Sequence, residues 1–136
     1  MKRAWIEYRE TWQDSPMSYW VHVEADGRPY YEAETFDPPH PAPVPGRGYA
    51  RLFVECDGFT FEFSSLSDLE ECARVLSQKT LPSTLRLSAS RSGGAGPNAH
   101  WLSRLPSDIK LWRYRQKASR YLVEAGEMLK QELNGS

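Results

Sequence analysis

The sequence has little cysteine and no long hydrophobic run. Its two cysteines, Cys56 and Cys72, do not have the spacing of a metal site or a disulfide framework. No run of eighteen apolar residues suggests a membrane span, and the first residues lack the apolar stretch of a secretory signal. We therefore expect a cytoplasmic protein without membrane contact, folded as one domain over residues 1–136.

The sequence also lacks a recognisable catalytic or cofactor motif. The glycines of residues 92–97 are not followed by the Lys-Ser/Thr pair of a phosphate-binding loop. His22 shares a predicted strand face with Glu24, but no nucleophile follows at a spacing typical of an enzyme family. We predict no catalytic residue, no metal and no cofactor, and we keep a small enzyme of unknown class as the last alternative.

The first half of the chain has the pattern of β-strands. Alternating apolar and polar residues predict strands at 5–12, 18–25, 30–35, 49–56 and 59–64. Asp57-Gly58 separates the last two runs, which is the pattern of a tight hairpin. Residues 37–48 contain five prolines and are predicted to form a loop.

The second half favours helices. Ser67 and Glu70 form a capping-box pattern that predicts a helix over 67–78. Residues 84–90 alternate like a further strand, residues 92–97 (SGGAGP) predict a flexible loop, and Ser107 is the predicted N-cap of a long helix over 107–133. We predict an α+β domain, with an antiparallel sheet of about 4–6 strands and helices packed against it.

Positive charge is concentrated in residues 79–120. This stretch has nine lysines and arginines against one acid, whereas residues 1–78 have seven bases against fourteen acids. Such asymmetry suggests an anionic partner. The basic residues predicted to contact it are Arg86, Arg91, Arg104, Lys110, Arg113, Arg115, Lys117 and Arg120. Trp101 and Trp112 lie among these charges, where exposed rings could stack on bases.

Three interpretations of this charge remain open at the level of sequence. The basic helix face can pair with the acids of residues 1–78, within one molecule or in a homodimer; it can bind phosphates; or it can bind an acidic protein. We predict a non-enzymatic binding protein that docks an anionic surface, nucleic acid or acidic protein, through residues 79–120. The alternative is an interaction or inhibitor protein that presents an acidic sheet side to a basic partner, through Glu7, Glu10, Glu24, Glu32, Glu34, Glu55 and Glu62.

Overall fold

The computed structural model describes residues 2–87 and 100–134 and confirms the α+β class. A three-stranded antiparallel sheet has the order β1-β4-β5, and a second sheet consists of the short strands β2 and β3. The strands are β1 (Lys2–Arg9), β2 (Val23–Glu24), β3 (Phe36–Asp37), β4 (Tyr49–Cys56) and β5 (Phe59–Phe63). The helices are α1 (Ser18–Val21), α2 (Leu66–Leu76), α3 (Thr84–Leu87), a 3₁₀ turn (Ser107–Lys110) and α4 (Trp112–Asn134).

One face of the larger sheet forms the core. Leu52 of β4 lies between Ile6 of β1 and Phe63 of β5 in the ladder, and Val54 is flanked by Ala4 and Phe61 in the same way. Because alternate residues of a strand point to opposite faces, these side chains share one side of the sheet. Helices α2 and α4 cover that side, and the buried core also includes Val75, Leu76, Leu122 and Leu129.

The β4–β5 hairpin has the predicted turn. Asp57 and Gly58 have φ angles of 51° and 92°, so both central residues have positive φ. Tight two-residue turns of this kind match the twist of the flanking strands, and aspartate and glycine tolerate the conformation best.

The strand predicted at 18–25 is wrong over its first half. Residues Ser18–Val21 form a single helical turn, in which the Val21 N–H donates to the Met17 carbonyl at 3.1 Å. Ser18 and His22, four residues apart, are both fully buried. The helical hydrogen bonds and the bond from the Ser18 hydroxyl to Asp68 hold this turn in place against the alternating pattern. The strand predicted at 30–35 is a turn, and pairing begins at Phe36.

The N-cap of helix α2 lies two residues earlier than the capping-box pattern predicts. Ser65 is the N-cap, and its hydroxyl accepts a hydrogen bond from the Asp68 N–H at 3.1 Å. Ser67 lies inside the first turn. The predicted strand at 84–90 is also wrong, because Thr84–Leu87 is a helical turn whose start is capped by the Ser83 hydroxyl, which accepts from the Arg86 N–H.

The long C-terminal helix is confirmed, but it begins at Trp112 and not at Ser107. Ser107–Lys110 form a 3₁₀ turn, and Leu111 then adopts an extended conformation (φ −68°, ψ 139°) that separates this turn from α4. Ile109 is buried in the core, which draws the turn inward. Residues 88–99 lie outside the described residues. They include the rest of the predicted strand after Leu87, the predicted contact residue Arg91 and the predicted loop at 92–97.

Candidate anion-binding interface

Arg115 joins the start of α4 to the end of α2. Its side chain is only 4% exposed, although the sequence predicts it as a partner contact. Its Nε donates to the Lys110 carbonyl at 2.7 Å, and its two terminal nitrogens donate to the carbonyls of Leu76, Gln78 and Lys79. The last carbonyls of a helix have no partner within the helix. Here the guanidinium satisfies the Leu76 carbonyl at the end of α2 and also binds the Gln78 and Lys79 carbonyls just beyond it. The prediction of a partner contact is corrected: Arg115 is a helix cap.

This cap brings two distant basic residues together. The backbone carbonyls of Lys79 and Lys110 both accept hydrogen bonds from the Arg115 guanidinium. The two chain segments therefore meet at the same end of the helical layer. Arg113 lies exposed on the first turn of α4, and Leu111 is 62% exposed beside it. We call the group Lys79, Lys110, Leu111 and Arg113 the basic end.

A stripe of cations continues from the basic end along α4. Arg113, Lys117 and Arg120 are all exposed, and their spacing of four and three residues places them on one side of the helix. Lys117 forms an ion pair with Asp57 of the hairpin turn, and this contact lowers the pKa of Asp57 to about 2. The hydrogen bond with Asp57 in turn raises the pKa of Lys117. The acid therefore neutralises one cation of the stripe.

Beside this stripe, strand β1 contributes a further cation. Lys2 lies 5.5 Å from the ring centre of Tyr121, and both residues line a depression of about 340 Å³ together with Lys117, Arg120 and Glu124. Because Glu124 follows Arg120 by one turn, the positive surface ends there.

Six of the fourteen acids in residues 1–78 form ion pairs with arginines of the same half. These ion pairs join Glu7 with Arg9, Glu34 with Arg28, Glu55 with Arg3, Glu71 with Arg74, and both Asp14 and Glu62 with Arg51. Within residues 2–87 and 100–134, Lys110, Arg113 and Arg120 form no ion pair, and neither do Arg86 and Arg104. Internal pairing thus accounts for Lys117 and leaves the rest of the stripe available. It also occupies several acids of the sheet side.

The two predicted aromatic contacts, Trp101 and Trp112, differ in their exposure. Trp101 is only 5% exposed and packs in the core, so its predicted role as a stacking ring is corrected. Trp112 is half-buried, and the Arg115 guanidinium lies 5.0 Å from its ring centre. Arg104 lines a different cavity of about 220 Å³ with residues of β5, and Arg86 lies on α3.

A buried polar network, which the sequence analysis missed, surrounds Asp68. One carboxylate oxygen accepts hydrogen bonds from the hydroxyls of Ser15, Ser18 and Ser64, at 3.3, 3.1 and 3.0 Å. All four side chains are buried. Because a buried polar group is costly without hydrogen-bond partners, these three serines and Asp68 form one interdependent unit that joins residues 15–18 to the start of α2.

His22 lies at the edge of this network. Its Nδ1 donates to the Pro38 carbonyl at 2.8 Å, because a carbonyl can only accept, and its Nε2 is 2.9 Å from the Ser65 hydroxyl and 3.4 Å from Asp68. The combination of serine, histidine and aspartate resembles a hydrolytic site in composition. His22 and Asp68 are both 0% exposed and Ser65 is 5% exposed, so no substrate reaches these atoms. The arrangement serves packing.

The described part of the chain offers little for other chemistry. Cys56 and Cys72 are buried unpaired thiols, and burial raises the pKa of Cys72. Residues 2–87 and 100–134 contain no group of three or more metal-ligating side chains. No helix in these ranges has both the length and the apolar character that crossing a bilayer requires.

No protein-family model, no curated protein and no solved structure matches this chain significantly. A functional proposal therefore rests on the stripe and the basic end.

Proposed function

We propose that this protein is a non-enzymatic binding protein that docks an acidic protein surface. The contact is made by the basic end and the stripe, through Lys110, Arg113, Lys117 and Arg120. The observation that carries the proposal is the distribution of ion pairs. Six acids of the first half bind arginines of that half, and three of these four cations have no acid partner among the described residues. Unpaired cations on one helix face attract an anionic surface.

An acidic protein suits this surface better than nucleic acid. Leu111 is 62% exposed among the cations, and protein interfaces combine an apolar centre with a charged rim. The ring that would stack on bases, Trp101, is buried. Nucleic acid is the second candidate, favoured by the half-buried Trp112 and by a stripe that runs for about 10 Å along the helix axis.

The proposal can be tested with three labelled probes at low salt. These are a synthetic peptide that alternates glutamate and leucine, a peptide of the same charge without leucine, and a DNA duplex of about 20 base pairs. We expect the first peptide to bind most tightly, because only it can contact Leu111 as well as the cations. Failure of all three probes to bind would overturn the proposal.

A pair of matched variants locates the contact. Lys110→Ala with Arg113→Ala should weaken peptide binding at least ten-fold, or about 1.4 kcal/mol. Arg28→Ala with Arg47→Ala removes the same charge from exposed positions in the first half and should leave affinity within about two-fold. Equal losses from both pairs would show attraction to net charge and not a site.

The DNA duplex distinguishes a nucleic-acid partner from an acidic protein partner. Up to four phosphate contacts predict a log–log slope of affinity against salt of roughly −3 to −4. If DNA binds more tightly than either peptide and follows this slope, the second candidate replaces the first.

We also propose a cytoplasmic location. The support is chemical: both thiols are buried and unpaired, which suits a reducing compartment where no disulfide framework is needed.

A further inference from the structure

An open groove separates the exposed sides of α2 and α4. Its volume is about 710 Å³, and its apolar lining includes Leu66, Leu69, Ala73 and Val123. The two helices approach closely at Gly126, where an added Cβ would lie 3.2 Å from a methyl carbon of Leu69. Val123 is nevertheless 62% exposed, so α4 presents an apolar side chain that no described element covers.

Charged residues of both signs line the groove. The acids are Glu70, Glu124 and Glu127, and the bases are Arg74, Arg120 and Lys130. The three acids balance the three bases, so this surface differs from the basic end and does not attract an acidic partner. A surface with balanced charges and an apolar centre can be complementary to a second copy of itself.

The order of charges along α4 favours an antiparallel pairing of two copies. Val123 lies between Arg120 and Glu127, three residues after the first and four before the second. In a parallel pair of α4 helices, Arg120 would face Arg120 and Glu127 would face Glu127, which is repulsive. In an antiparallel pair centred between Val123 and Glu124, Arg120 of each copy faces Glu127 of the other.

A pair centred at Ala125 would place Arg120 opposite Lys130, which is less favourable. A pair centred at Leu122 would match Arg120 with Glu124, but it would move the exposed Val123 off the centre. Within one copy, Glu127 is already 3.5 Å from Lys130, but both side chains are more than half exposed. Such an exposed pair contributes little and leaves Glu127 able to bind a second cation.

We infer that two copies of this chain associate through this groove, with their α4 helices antiparallel, Val123 at the centre and two reciprocal Arg120–Glu127 ion pairs. The inference is independent of the proposed function, since Arg113 and the basic end lie outside the groove. Arg120 borders both surfaces, so its variants are read by association state and not by peptide binding.

Charge reversal gives a test that a general loss of stability cannot imitate. We expect the protein to sediment as a dimer at micromolar concentration. Arg120→Glu alone and Glu127→Arg alone should each weaken the dimer at least ten-fold, because each places like charges opposite one another twice. An equimolar mixture of the two single variants should restore a heterodimer, and a chain with both substitutions should dimerise with itself.

Arg113→Glu is the matched control, because it reverses a charge on the same helix outside the groove and should leave the dimer unchanged. Thermal unfolding should confirm that all variants are folded, since exposed substitutions change stability by only about 0.5 kcal/mol. A monomer at concentrations up to about 1 mM would overturn the inference, since such association would be weaker than about −4 kcal/mol. A mixture that associates no better than either single variant, or a dimer that persists in every variant, would overturn it as well.

Discussion

Substitution of Arg115 by methionine should destabilise the protein strongly, because its guanidinium donates to the carbonyls of Leu76, Gln78, Lys79 and Lys110. Methionine fills a similar volume but donates nothing. A hydrogen bond to a charged group contributes about 1.5–3 kcal/mol, and water can replace the donor only at carbonyls near the surface. If one or two of the carbonyls remain without a donor, the loss is about 2–4 kcal/mol.

The chain provides a matched control two residues away. Arg113 is on the same helix, carries the same charge and is exposed without an ion pair to the described residues. Arg113→Met should therefore change the free energy of unfolding by no more than about 0.5 kcal/mol. Its effect should appear in binding instead, where it removes a cation of the proposed interface.

Urea unfolding measures both variants directly, followed by tryptophan fluorescence and by circular dichroism. At a slope of about 2 kcal/mol/M, the expected loss in Arg115→Met lowers the unfolding midpoint by roughly 1–2 M. The slope itself should stay constant if the same surface unfolds. Equal midpoints for the two variants would refute the assignment of Arg115 as a helix cap. Such a result would make Arg115 a candidate contact residue again.

Three further predictions follow from titratable groups. Burial lowers the pKa of His100 from 6.5 to about 4, so the unfolded chain is protonated at a higher pH than the folded chain. The free energy of unfolding should therefore be complete above pH 6.5 and fall towards pH 4. His100→Gln should flatten this part of the profile of urea stability against pH. Asp68→Ala removes the acceptor that three buried serine hydroxyls share and should cost about 3–5 kcal/mol in urea unfolding. Glu70→Ala on the exposed side of α2 should cost less than about 0.5 kcal/mol. Lys117→Met should raise the pKa of Asp57 from about 2 towards its ordinary 3.8, as measured by NMR titration; an unchanged pKa would contradict the ion pair.

The elements that the sequence predicts correctly depend on local chemistry. Asp57-Gly58 sets a hairpin because both residues tolerate positive φ, and the structure has positive φ at both. Helices α2 and α4 follow apolar residues at spacings of three and four. These signals lie within a few residues of the elements that they specify.

The helical turn at Ser18 depends instead on distant residues. Its hydroxyl bonds to Ser64 and Asp68, which are 46 and 50 residues away in the chain. No local pattern indicates that polar side chains at Ser18 and His22 face the interior. Period-two alternation therefore predicts a strand that tertiary packing does not allow.

The sequence could have predicted that Arg115 is buried, but the concentration of positive charge around it favoured a partner contact. Arg115 precedes Ala118, Leu122, Ala125 and Leu129 at spacings of three, four, three and four, and all five residues are buried. The helical phase of Arg115 therefore matches the apolar face, while Arg113 lies on the opposite side. A basic residue at an apolar phase indicates a cap or a buried pair before it indicates a ligand contact.

The two proposed surfaces of α4 have a joint consequence for recognition. In the antiparallel pair, the two copies of Arg113 lie on opposite sides of the centre and about 30 Å apart along the helices, from a rise of 1.5 Å per residue. A dimer would thus present two basic ends to one elongated partner, and linking two acidic segments at that distance should raise the affinity well above that of one segment. Glu127→Arg, which breaks the dimer but adds a cation, should lose this gain while single-segment binding holds. Equal gains for the native protein and this variant would show that the basic ends act one at a time.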